Sequence, residues 1–181
     1  MYKLSLTTLM LITFFVSLQE VIYYTDTGKV EFTSSVPLHE FTGRSEKLTG
    51  MIDFEKNLID FYLDLTTLYT GNERRDRDMY RTLNVDDYPF AEFTGSLTSP
   101  FDQDSREKQL VTTSGELTMN GVTRNKVVEG SLQKQGDDLL LEAVWIQDIT
   151  DHNIEPPGIL FYRVRDEMEV KIEATLQQTE K

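Results

Sequence analysis

The stretch DEMEVKIEATL, residues 166–176, decides the fold class. Met168, Val170, Ile172 and Ala174 fall on one face, and Glu167, Glu169, Lys171 and Glu173 on the other. Side chains alternate across a strand, so this is a strand with one dry and one wet side. The same period recurs upstream. NLIDFYLDL (57–65) groups Ile59, Phe61, Leu63 and Leu65 against Asp60 and Asp64. KVEFTSSV (29–36) sets Val30 and Phe32 against Glu31 and Thr33, and FAEFTGSLT (90–98) sets Phe93 and Leu97 against Glu92, Thr94 and Ser96. In LLLEAVWIQ (139–147) the phase that puts Leu139, Leu141, Ala143 and Trp145 inward leaves Glu142 and Gln147 to solvent or an edge.

Turn residues punctuate these runs at Thr27-Gly28, Glu55-Lys56-Asn57, Ser99-Pro100, Asn120-Gly121 and Gly136-Asp137. Asn-Gly is the strongest of these signals, because a type I′ hairpin turn needs positive φ at both central residues. Strands of about eight residues joined by hairpins predict a meandering antiparallel barrel or sandwich. No internal repeat and no second domain are visible.

Residues 72–83 break the β rhythm. At helical spacing Asp76, Met79, Tyr80 and Leu83 share one side, and Arg74, Arg77 and Arg81 the opposite one. Asn72 is placed to cap the first turn, and Asp78 and Arg81 sit at i, i+3. The arginines read as the solvated face of a short amphipathic crossover helix. Arg75 and Asp76 fall outside that stripe, where a buried ion pair or a hydrogen-bonded clasp would explain them.

Composition narrows the function. The 181 residues carry a formal charge of -13 and the pI is near 4.5, which makes nucleic acid and anionic membrane surfaces poor partners. Lys3 followed by the uncharged run LSLTTLMLITFFVSL has the layout of a secretory signal peptide, with an uncleaved anchor and a buried strand as the alternatives, so residues 1–19 read as a leader and 20–181 as one domain. Cysteine is absent, which removes thiol catalysis, thiolate metal sites and a lipoprotein anchor. His39 and His152 lie in polar, loop-like text and read as surface or strand-end residues; no nucleophile, metal-binding or phosphate-cradling motif accompanies them. The interior is rich in aromatic residues. A closed sheet of about eight strands either fills with side chains or encloses one small ligand, and periodicity leaves both open. Alternation nominates Phe32, Phe54, Phe61, Leu63, Phe93, Leu97, Trp145 and Ile172 as wall residues.

The order of motifs carries a resemblance. TGNERRDRDMYRTLNVDDYPFAEFTG (70–95) looks like the signature of the YceI-like lipid-binding family: an R-D-x-x-(Leu/Met) helix, an acidic approach to Tyr-Pro, and a strand carrying Phe. GELTMNGVTRNKVVEG (115–130) is similar to its G-x-L-T-x-x-G-x-T hairpin. GKVEFTSSV and FTGRSEKLTGMIDFE resemble its opening strands, and DHNIEPPGILFYRVRDEMEVKIEATL its closing segment. The resemblance implies an all-β, eight-stranded antiparallel, lipocalin-like barrel with one short crossover helix over an end. It also implies a pocket for a polyisoprenoid, isoprenoid quinone or fatty-acyl chain, in an exported (periplasmic or secreted) bacterial protein without catalysis, metal or cofactor. By position the family's Arg-Asp pair falls on Arg75 and Asp76 as a helix–barrel clasp, its apolar helix residue on Met79, and its Tyr-Pro on Tyr88 and Pro89. Asp78 stands where many members have His, and the link to Tyr-Pro is about two residues shorter; both departures bear on the pocket mouth. The alternative is a non-catalytic envelope or stress-related interaction module with a filled core. Oligomeric state stays open, a homodimer included.

Overall fold

The computed structural model describes residues 21–36, 39–155, 158–159, 162–163 and 166–180; residues 1–19, read above as a leader, lie outside them. The alternating runs become β1 (Val21–Val36), β2 (His39–Asp53), β3 (Leu58–Asp64), β4 (Phe90–Leu97), β5 (Gln109–Met119), β6 (Val122–Gln135) and β7 (Asp138–Asp148). Two-residue strands β8 (Gly158–Ile159) and β9 (Tyr162–Arg163) pair with each other, and β10 (Glu167–Glu180) closes the order. Eight of these form a closed barrel in the order β1-β10-β7-β6-β5-β4-β3-β2, with antiparallel neighbours throughout. Pairing of β1 with β10, from Val21↔Glu180 to Ser34↔Met168, joins the two ends of the domain. Closure leaves the eight barrel strands without a free edge.

Strands are longer than the sequence rhythm suggests. β1 runs 16 residues and β2 15, because Thr27-Gly28 is a bulge inside β1 rather than a turn. The register against β2 shifts between Thr25 and Gly28 and again between Gly28 and Val30. An extra residue at a bulge bends and twists a strand, and long strands need that to wrap a barrel. Glu55-Lys56-Asn57, Asn120-Gly121 and Gly136-Asp137 form the tight turns their residues demand, whereas Ser99-Pro100 opens a longer connection, residues 98–108, between β4 and β5. Asn120 and Gly121 hold φ of 49° and 69°, the left-handed pair of a type I′ hairpin, between β5 and β6.

The helix α1 (Glu73–Leu83) connects β3 to β4. Asn72 Oδ1 accepts from the backbone N–H of Arg74 and Arg75, both at 3.1 Å, and Asn84 ends the helix in the left-handed region at φ 55°. Met79, Tyr80 and Leu83 turn inward toward the core as their spacing predicts.

Hairpin connectivity gives the barrel two unlike ends. Turns β5–β6, helix α1 and the β7–β10 crossover gather at one end; the β2–β3, β4–β5 and β6–β7 connections gather at the other. That second end is plugged by aromatics: Phe54 stacks on Phe101 with centroids 5.0 Å apart and meets Tyr23 edge-on at 5.6 Å.

Asp53 closes β2 with a carboxylate that is almost fully buried. Its Oδ1 accepts from Lys56 N at 2.9 Å and its Oδ2 pairs with Lys56 Nζ at 3.2 Å. The Lys56 backbone N–H, more than any other contact, holds this acid below the ordinary carboxylate value against the opposing effect of burial. Because the folded pKa is depressed, the unfolded chain takes up the proton first. The stabilisation is present above the ordinary carboxylate range and is lost as pH falls through the folded value. In acid titrations of melting temperature, Asp53→Asn is expected to be less stable at neutral pH and to show a flatter decline below about pH 4. Parallel acid limbs for the two proteins would refute this.

Candidate functional site

Inside the barrel lies a cavity of about 970 Å³, at the upper end of the range that small-molecule sites occupy. Its wall is built by inward positions of every barrel strand. Val30, Phe32, Leu48, Ile52, Ile59, Phe61, Leu63, Leu132 and Ile172 supply apolar surface, and α1 lies at the mouth through Arg74, Arg75, Asp78, Met79, Arg81 and Thr82. Two glycines explain how a lumen so rich in aromatics stays open. Gly43 and Gly50 of β2 stand opposite Phe32 of β1 and Phe61 of β3. A Cβ at either glycine would sit 2.1 Å from the ring carbons. The rings therefore lie flat across bare backbone instead of projecting into the lumen.

Seven of the eight nominated wall residues line this cavity: Phe32, Phe61, Leu63, Phe93, Leu97, Trp145 and Ile172. Phe54 does not. It follows the last residue of β2, where alternation no longer governs direction, and belongs to the aromatic plug.

Arg75 and Asp76 act separately rather than as a pair, and no ion pair joins them among the described residues. Asp76 is half-buried; its Oδ1 accepts from Thr70 N at 2.8 Å and from Thr70 Oγ1 at 2.6 Å, fastening the first turn of α1 to the segment leaving β3. Arg75 is exposed, with its guanidinium 5.0 Å above the ring of Phe41, which in turn meets Phe32 edge-on at 6.1 Å. Tyr80 adds a third tie, donating to Leu68 O at 2.6 Å and to Thr66 O at 3.0 Å. Burial pushes its phenol pKa up, with Asp76 and Asp64 adding to the effect. Arg74 and Arg81, expected on the solvated face, are indeed exposed but also border the mouth; Arg81 pairs with Asp78 at 3.3 Å. A helix lying over an opening has a rim face as well as a buried and a wet one.

The Tyr-Pro segment and the Asn-Gly hairpin prove to be contact partners. A Cβ on Gly121 would come within 2.5 Å of the Tyr88 ring, and Asn84 Nδ2 donates to Asn120 Oδ1 at 3.3 Å. Pro89 O accepts from Leu65 N at 2.8 Å. The two motifs thus lock α1 onto its end of the barrel from opposite sides of the sequence.

Two polar residues depart from expectation. His152 is buried, 1% exposed, with Nδ1 2.8 Å from Val122 O beneath the crossover after β7. The side chain of His39 lies outside the described residues. Gln147, expected at solvent or an edge, is 3% exposed and lines the cavity. β7 continues unbroken to Asp148, so the phase that turns Trp145 inward carries Gln147 inward as well. Lys126 of β6 also lines the cavity and donates to Ile146 O at 2.9 Å. Burial pulls its ammonium pKa down, with Asp151 and Asp148 pulling the other way. Three buried side-chain atoms find no partner within the protein among the described residues: Ser34 Oγ, Trp145 Nε1 and Gln147 Oε1. Each such atom costs about 1–3 kcal/mol. No cluster of three or more His, Cys, Asp or Glu residues suited to a metal ion occurs among the described residues.

The sequence model of the YceI-like domain matches residues 23–176. Among solved structures, the chain is similar to a polyisoprenoid binding domain from Saccharophagus degradans implicated in plant cell wall breakdown. The TM-score is 0.74 at 19% identity, over 87% of this chain and 98% of that one. It is also similar to Burkholderia cenocepacia BcnA (TM-score 0.68, 15% identity, 82% and 95% covered). A Campylobacter jejuni YCEI protein matches with TM-score 0.56 and 18% identity over 77% and 84%. At these identities the likeness is one of fold. No curated protein matches the sequence.

Proposed function

Because this chain belongs to the YceI-like family, we propose that it binds one long apolar chain, of polyisoprenoid, isoprenoid-quinone or fatty-acyl type, inside the barrel. The observation that carries this reading is the cavity of about 970 Å³ with its apolar wall. Affinity then comes from area removed from water, at about 25 cal/mol per Å², and needs no chemical step. The polyisoprenoid-binding Saccharophagus domain of the same fold supports the ligand class. We extend the proposal to export, with residues 1–19 as the leader that directs it. The alternative, an interaction module with a filled interior, has no support from an interior with this much space.

Native mass spectrometry after gentle extraction tests the reading. The expected result is an adduct with the mass of one long-chain lipid, together with saturable uptake of isoprenoid-quinone or fatty-acyl probes. Finding neither would refute it. Fractionation of the expressing cell, with the mass of the mature chain, tests export independently.

A further inference from the structure

The three unpartnered polar atoms are not scattered. Register places Ser34 of β1 beside Met168 of β10, and Met168 beside Gln147 of β7; Trp145 lies two residues before Gln147 on the same inward face. The row continues to Phe41 of β2, opposite Ser34, and Arg75 of α1 lies over Phe41. A buried donor, Trp145 Nε1, and a buried acceptor, Gln147 Oε1, therefore line the cavity two residues apart on one face of β7, at the helix-covered end and with Lys126 also in the wall; Ser34 lies in the same row two strands away. Gln147 is 3% exposed, so its Oε1 has little access to bulk solvent.

Resting on the lipid-binding reading above, we propose that this end of the cavity is a head-group site for an uncharged amphiphile whose head both accepts and donates a hydrogen bond, the hydroxyl of a long-chain alcohol being the smallest example. The head oxygen accepts from Trp145 Nε1–H and its O–H donates to Gln147 Oε1. The tail runs down the lumen toward the plug of Tyr23, Phe54 and Phe101.

An anionic head fits less well. Gln147 presents an acceptor, which an anion cannot satisfy. Of the cations at the mouth, Arg81 pairs with Asp78, Arg75 lies over Phe41 and Lys126 is on Ile146 O with Asp148 and Asp151 nearby, so Arg74 at the rim is the cation an anionic head would meet first.

Competition against a fluorescent fatty-acyl probe, with hexadecanol, its methyl ether and hexadecane as competitors, tests this. The three share a tail and differ in whether the head donates and accepts, only accepts, or does neither. The wild-type protein is expected to prefer alcohol over ether, and ether over hydrocarbon, by about tenfold at each step. Gln147→Met should erase the first step and Trp145→Phe the second, each read as the ratio between two competitors on the same variant, so that a change in the wall common to all three tails cancels. Equal binding of all three competitors by the wild type would overturn the head-group site while leaving the lipid reading standing. Tighter binding of hexadecyl phosphate, abolished by Arg74→Ala with Arg81→Ala and untouched by Gln147→Met, would move the head to the arginine rim and also overturn it. Uptake of none of these would overturn both.

Discussion

Ala143→Trp is expected to abolish lipid uptake while leaving the barrel folded. Ala143 is a buried wall residue of the cavity, on β7 between Gly130 of β6 and Ile172 of β10. It is among the smallest side chains facing the lumen, so the step to an indole is large. An eight-stranded barrel is about wide enough for one chain to pass, and an indole reaching inward divides the lumen into two short halves. Each buried CH₂ contributes about 0.8 kcal/mol. A chain that inserts six fewer methylenes loses about 5 kcal/mol, more than three decades in Kd. Overpacking a core costs about 1–3 kcal/mol where no space is available, and here the new ring enters a cavity. Val128→Trp on β6, whose side chain also lines the lumen, repeats the test at an independent position. Binding assays, with far-UV circular dichroism as the control for folding, decide the matter. Uptake within threefold of the wild type in both folded variants would refute an internal site.

Much of this architecture is legible in local text, because a strand with one wet face announces itself every second residue. Residues 166–176 and 57–65 become β10 and β3 with the faces that alternation assigns, and Asn72 and Asn120-Gly121 cap or turn where their backbone preferences require. Local reading fails where two strands decide together. Thr27-Gly28 has the composition of a turn, yet its partners on β2 hold it as a bulge. Phe54 keeps the alternation of β2 on paper, but the strand has already ended. Gln147 reads outward by its polarity, whereas the phase that turns Trp145 inward carries it inward as well. Emptiness of the lumen is the least legible property. It depends on Phe32 and Phe61 lying over Gly43 and Gly50, residues remote in sequence whose opposition only the barrel register reveals.

Asp76, rather than Arg75, is expected to be the residue that keeps α1 seated on the barrel. An isolated helix of 11 residues is not stable in water, so α1 stays helical only through its attachments. The Asp76 carboxylate accepts two hydrogen bonds from Thr70, at 2.8 and 2.6 Å, in a half-buried setting. Hydrogen bonds to a charged group contribute about 1.5–3 kcal/mol, and removing the acceptor also strands the Thr70 N–H. Arg75 offers one exposed cation–π contact to Phe41, a class that contributes about 0.5–1 kcal/mol. Asp76→Ala should therefore raise hydrogen exchange across residues 73–83 about 30-fold, against about threefold for Arg75→Ala. The melting temperature should fall by about 5 °C and about 2 °C respectively if opening of the helix is coupled to global unfolding. Asp76→Asn keeps an acceptor without the charge and should fall between the two. Equal exchange in Asp76→Ala and Arg75→Ala would show that the two side chains share the load, and would return the clasp to the pair.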